Sequence, residues 1–119
     1  MDSPEYLESL KRLLGAEVLV HVDRPLGSHH PKYNDLIYPI NYGYIEGFLA
    51  PDGDFQDAYL LGISEAVESY FGVVIAIIVR HDDVENKLVV VPKGRLFTDE
   101  EIRSAISFQE RYFQSEILR

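Results

Sequence analysis

A β-rich α+β fold, a small curled sheet or barrel with a helix at each end, is what this sequence predicts. Two observations carry that expectation. Short apolar stretches follow one another closely through the middle of the chain with turn residues between them, and helical periodicity appears only near the two termini. A parallel βαβ arrangement would need helices between the strands, and no segment there has the period for one.

The elements can be justified in order. Ser3-Pro4-Glu5 combines a capping hydroxyl, a proline suited to the first helical position and an acid in the first turn. Tyr6, Leu10, Leu13 and Leu14 recur at helical spacing, and Gly15 is placed to end the helix. From Glu17 to Val22 the pattern changes to alternation, with Val18, Val20 and Val22 on one face of a strand that Pro25 stops. Leu26 to Ile37 is polar and turn-rich. Tyr38 to Tyr44 is aromatic and extended, Pro51-Asp52-Gly53 is a tight turn, and a short strand covers Ala58 to Leu61. Gly72 to Arg80 reads as a strand buried on both faces, the turn His81 to Asn86 follows it, and Lys87 to Val91 forms the next strand. Thr98 and Glu101 make a capping box for a helix expected to run to about Leu118, with Ile102, Ile106, Tyr112 or Phe113, and Ile117 on its apolar side.

Composition narrows the function. At 119 residues and 46% apolar content the chain, residues 1–119, is expected to form a single domain with one core. With no cysteine, it has neither disulfides nor thiolate chemistry. The N-terminal residues lack the basic start and apolar run of a signal peptide, and the longest apolar run, Phe71 to Val79, is too short to span a bilayer. A cytoplasmic protein with no membrane partner is the expectation. A formal net charge of −9 disfavours nucleic acid as a partner, but is compatible with a phosphate ligand if carboxylates first gather divalent cations.

Two acidic turns are candidates for that role. Asp52-Gly53-Asp54-Phe55-Gln56-Asp57 has three acids in six residues, and Gly53 permits the tight bend that aims neighbouring carboxylates at one point. Asp82-Asp83-Val84-Glu85-Asn86-Lys87 joins two apolar strands and places Glu85 and Lys87 on one face. A lysine there neutralises the carboxylates until cations do so, and is then free to hold a phosphoryl oxygen. Surface turns rich in aspartate and glycine have the same composition without any chemistry. An EF-hand is excluded by spacing, as are a Walker loop and a serine nucleophile elbow.

Tyr38-Pro39-Ile40-Asn41-Tyr42-Gly43-Tyr44-Ile45, then Pro51-Asp52-Gly53-Asp54-Phe55-Gln56-Asp57, resembles the soluble family I inorganic pyrophosphatases. Asp82, Glu85-Asn86-Lys87 and the following Leu88-Val89-Val90-Val91-Pro92 are similar to a further motif of that family, and Phe108 to Tyr112 to its C-terminal helix motif. The resemblance covers roughly residues 18 to 113. It implies an OB-like five-stranded β-barrel flanked by N- and C-terminal helices, and Mg²⁺-dependent hydrolysis of pyrophosphate to two phosphates, with Mn²⁺ as the alternative ion.

Carried over by position, the resemblance implies that Asp54 is the general base on the attacking water. Asp52, Asp57 and Glu85 would hold the principal metal, Asp82 and Glu85 a metal arriving with substrate, and Asp23 would stand behind them. Tyr42, Lys87 and Tyr112 would contact phosphate. The resemblance also implies a homo-oligomer. The chain departs from the family pattern at Phe55 and Gln56, which replace Pro and a hydrophobic residue, at Glu85 for aspartate, and at Phe113 for lysine. The connection between Pro25 and Tyr38 is short and lacks arginine, so Lys32 is expected to supply its cation, with Arg24, His29 and His30 as alternatives. These losses leave open another small phosphate compound as substrate, or a non-catalytic module that binds metal or phosphate.

Overall fold

A computed structural model describes residues 4–119. Helix α1 spans Pro4–Lys11, and five strands follow: β1 Glu17–Arg24, β2 Asn41–Leu49, β3 Phe55–Leu60, β4 Ser69–Arg80 and β5 Lys87–Val91. Helix α2, Asp99–Glu110, and strand β6, Ser115–Leu118, complete the chain. The first five strands close on themselves in the order β1-β2-β3-β5-β4, because β4 pairs back onto β1. Every pairing in this barrel is antiparallel except β3 with β5. The expected five-stranded barrel with a helix towards each end is therefore present.

Two apolar cores occupy the two faces of the same strands. Val20, Ile45, Leu60, Val74 and Leu88 come from all five barrel strands and meet Tyr6 and Leu10 of α1, so this cluster is the barrel interior. Tyr42, Tyr59, Ile78 and Val89 meet Ile102 and Ile106 of α2, so this one lies on the outer face that α2 covers. Burial on both faces is why Ile77 to Arg80 and Lys87 to Val91 are continuously buried instead of alternating. In β4 the inward set passes from even to odd positions, from Val74 to Ile77 and Val79, across a register shift between Val74 and Ala76.

The capping box on α2 forms as expected, with Thr98 accepting from the Glu101 N–H and Glu101 reaching back to Thr98. The helix does not reach Leu118, however. It stops at Glu110, and Ser115 to Leu118 turn back to pair with Arg80 to Ile77. The residue at the helical position, Ile117, instead packs against the outer core from a strand. At the other end α1 stops at Lys11, and the Gly15 N–H bonds the Val74 carbonyl. Ser3, expected to cap α1, lies outside the described residues.

Gly43 faces Val22 across the ladder between β1 and β2. A Cβ built there would lie 1.8 Å from the His21 carbonyl oxygen, which is backbone and cannot move aside. Gly43→Ala is therefore expected to cost more than the ~3 kcal/mol typical of overpacking, and a urea melt should show a collapsed or non-cooperative transition. A melt within error of wild type would show that the two strands separate freely.

Candidate active site

The barrel brings the two acidic turns together through β3 and β5. Their parallel register pairs Ala58 with Leu88, and Asp57 and Lys87 are the residues immediately before that pair. The Lys87 ammonium donates to Asp57 Oδ2 at 2.6 Å, and Lys87 is almost fully buried. One residue further back, Gln56 and Asn86 are fully buried. Gln56 Nε2 donates to the Asn86 carbonyl at 2.6 Å, and Tyr6 of α1 donates to Gln56 Oε1 at 2.6 Å. Asn86 Oδ1 accepts the Arg80 N–H at 3.0 Å and so closes the turn between β4 and β5. Gln56 thus departs from the expected apolar residue because its amide ties the two site-bearing turns to each other.

Around this clamp the charges interact. Burial raises the Glu85 carboxyl above its ordinary range, and the charges of Asp52 and Asp57 add to the effect against the opposing pull of Lys87. Glu85 Oε2 is buried with no hydrogen-bond partner. Burial likewise raises Asp23, opposed by Arg24 and reinforced by Asp57. Burial first, then the Asp57 charge, pushes the Tyr42 phenol well above its ordinary value, and Lys87 lies 5.8 Å over its ring. Asp52, Asp57, Glu85, Asp23, Tyr42 and Lys87 are therefore one electrostatic group.

The remaining expected residues are placed differently. Asp54 is exposed on the turn that Gly53, at φ +89°, makes possible, and its N–H donates to Asp52 Oδ1 at 3.0 Å. Asp82 accepts the Gln114 N–H at 3.0 Å, steadying the approach to β6. Lys32 is exposed in the connection before β2, its N–H donating to His30 Nδ1 at 3.0 Å. Tyr112 lies past the end of α2 and is 70% exposed.

Reading the sequence misses a buried polar group under α2. Glu110 is 2% exposed and takes a 2.6 Å ion pair from Arg80, whose second nitrogen reaches Asp83 at 2.9 Å. Burial alone would lower the Arg80 pKa, but the bonds to Glu110 outweigh it and raise it. Tyr59 donates to Glu110 Oε2, Gln109 donates to Tyr59, and the Phe113 ring covers the Arg80 guanidinium at 3.7 Å. The only hint in the sequence is that Tyr59 and Glu110 fall on otherwise apolar faces.

Lys87 and Arg80, both nearly buried, and Tyr33 and Tyr112, both exposed, line one cavity of about 730 Å³. The fold around it matches solved proteins. The inorganic pyrophosphatase of Ehrlichia chaffeensis superposes with a TM-score of 0.63 at 19% identity, over 87% of this chain and 85% of that one. That of Coxiella burnetii gives 0.64 at 17% identity, over 87% and 84%. The fold is that of the inorganic pyrophosphatases. In sequence, the inorganic pyrophosphatase of Aeropyrum pernix is 33% identical over 82 residues, covering 66% of this chain. The match spans 43% of that pyrophosphatase's own length, less than half. No family model matches the chain.

Carboxylate oxygens are the donors that hard divalent cations such as Mg²⁺ prefer, and the orphaned Glu85 Oε2 beside two other acids fits such an ion. Among the described residues no three His, Asp or Glu side chains already form a ligand set. Lys87 meanwhile serves as counter-ion to Asp57.

A carboxyl that binds its proton more tightly folded than unfolded destabilises the fold once ionised. For Glu85 that cost is absent below about pH 4.3 and builds as pH rises through the raised folded value. In metal-free buffer at pH 7, Glu85→Gln should therefore melt at a higher temperature than wild type, the difference vanishing near pH 4. Circular dichroism melts at the two pH values test this; a lower melting temperature at pH 7 would contradict it.

Proposed function

We propose that the chain hydrolyses inorganic pyrophosphate to two phosphates with a divalent cation, Mg²⁺ before Mn²⁺. The observation that supports this best is the pairing of β3 with β5, which sets Asp57 against Lys87, with the charges of Asp52 and Asp57 close enough to raise the proton affinity of Glu85. In this reading Asp52, Asp57 and Glu85 hold the cation, Asp23 stands behind Asp57, and Asp82 serves an ion brought with substrate. When bound, the cation supplies Lewis-acid polarisation of phosphoryl oxygens and makes water more acidic.

The chain's own groups do the rest. Neutralisation of the carboxylates releases the Lys87 ammonium from Asp57 towards a phosphoryl oxygen, the Tyr42 phenol stays protonated and donates, and Tyr112 and Lys32 contact phosphate. Asp54, whose carboxylate has no hydrogen bond among the described residues, takes the proton of the attacking water. The water oxygen bonds to one phosphorus, and the bridging oxygen leaves with the other phosphate.

The reading carries with it a cytoplasmic location, assembly with copies of itself, and no nucleic-acid partner. Among the described residues no helix is long and apolar enough to cross a membrane. A second reading, a module that binds metal or phosphate without turnover, draws on the fact that Lys87 and Arg80 are already matched with acids.

Phosphate release from pyrophosphate should require Mg²⁺, stop when the ion is chelated, and fall by ~10²-fold or more in Asp54→Asn, the scale of a lost general base. Equal release by wild type and variant would remove Asp54 from the mechanism. Tight binding of Mg²⁺ and phosphate in calorimetry, with no release, would favour the non-catalytic module.

A further inference from the structure

We propose that the cavity beside Lys87 takes a phosphoanhydride that carries a planar aromatic base, a nucleoside diphosphate being the simplest, with its phosphates at Lys87 and its base stacked on Tyr33 or Tyr112. This names a substrate class for the site and rests on the hydrolase reading above.

Three observations converge. The first is size. At about 730 Å³ the cavity falls within the ~300–1,000 Å³ that hold drug-sized ligands, whereas pyrophosphate has only two phosphorus and seven oxygen atoms and would leave most of it to water.

The second is the mixed chemistry of its lining. Lys87 and Arg80 are nearly buried, whereas Tyr33 and Tyr112 are 60% and 70% exposed. Rings so exposed contribute little to either core, but offer π-faces on which any base can stack. Asp35 lines the same cavity as an acceptor. His30 does so too, and its Nδ1 already accepts the Lys32 and Tyr33 N–H groups, which leaves Nε2 to donate to the edge of a base.

The third is the shortage of free cation. Of the lysine and arginine side chains that line the cavity, Arg80 is consumed by Glu110 and Asp83, and Lys87 must first leave Asp57. A ligand that is all phosphate gains little here, and one that adds a stacking surface gains more.

The step is the same as with pyrophosphate: water oxygen bonds to the terminal phosphorus and gives its proton to Asp54. The bridging P–O bond breaks, and the nucleoside monophosphate leaves with the bridging oxygen and the electron pair.

Calorimetry in Mg²⁺ with two non-hydrolysable carbon-bridged probes, methylenediphosphonate and adenosine 5′-(α,β-methylene)diphosphate, separates recognition from turnover. The adenosine probe should bind wild type the more tightly. Tyr33→Ala should reduce that preference about fivefold or more, the lower end of what losing one stacked base costs, and Tyr33→Phe should retain it. Equal binding of the two probes, failure of the adenosine probe to bind, or a preference that survives Tyr33→Ala would overturn the proposal. Phosphate release from pyrophosphate and adenosine diphosphate, run in parallel, keeps the two readings apart. Preference for the adenosine probe without release from either compound sinks the hydrolase and leaves the base subsite standing. Release from pyrophosphate alone, with equal probe binding, does the reverse.

Discussion

The parallel ladder between β3 and β5 is the constraint on which the candidate site depends. Parallel strands cannot be joined by a tight turn, so these two are brought side by side by the long excursion through β4. Once Ala58 faces Leu88, the residues before them have no freedom: Asp57 must meet Lys87, and Gln56 must meet Asn86. The charged pair is the functional half of that meeting and the amide pair is the structural half. A slip of one residue would turn Asp57 and Lys87 to opposite faces and remove both halves together.

Buried charge under α2 plays a different part. A buried ion pair contributes little net stability, since desolvation offsets most of its attraction, but a partner left alone is costly. Arg80 and Glu110 therefore act as a register device. Only one seating of α2 on the barrel satisfies Glu110 with Arg80 and Tyr59 at once, and that seating sets where Phe113 and Tyr112 emerge beside the cavity.

Much of the barrel was legible in the sequence, because β-branched runs bounded by turn residues admit few readings. Lys87 to Val91 is found with the expected bounds, and Pro25 does end β1 at Arg24. The end of α2 was not legible. Arg111 to Gln114 contain neither glycine nor proline, and Ile117 continues the helical spacing, so only the open edge of β4 reveals why the chain turns back there. The acidic turns announced themselves through their spacing, and Asp57, Glu85 and Lys87 are brought together. That Asp82 is engaged by the Gln114 backbone could not be foreseen, since the partner arrives from 32 residues away. Gln56, Asn86, Arg80 and Glu110 stayed hidden for a common reason: polar residues are read as surface unless their partners are known, and these partners are remote in sequence.

Strand β4 has a consequence of its own. Over twelve residues it bonds to β1 with its first half, to β5 through its middle and to β6 with its last residues, while its side chains enter both cores. Its release would open the barrel, free β6 and expose both cores at once. The amide hydrogens of Val74 to Val79 should accordingly be the slowest in the protein to exchange with deuterium, escaping only when the whole molecule opens.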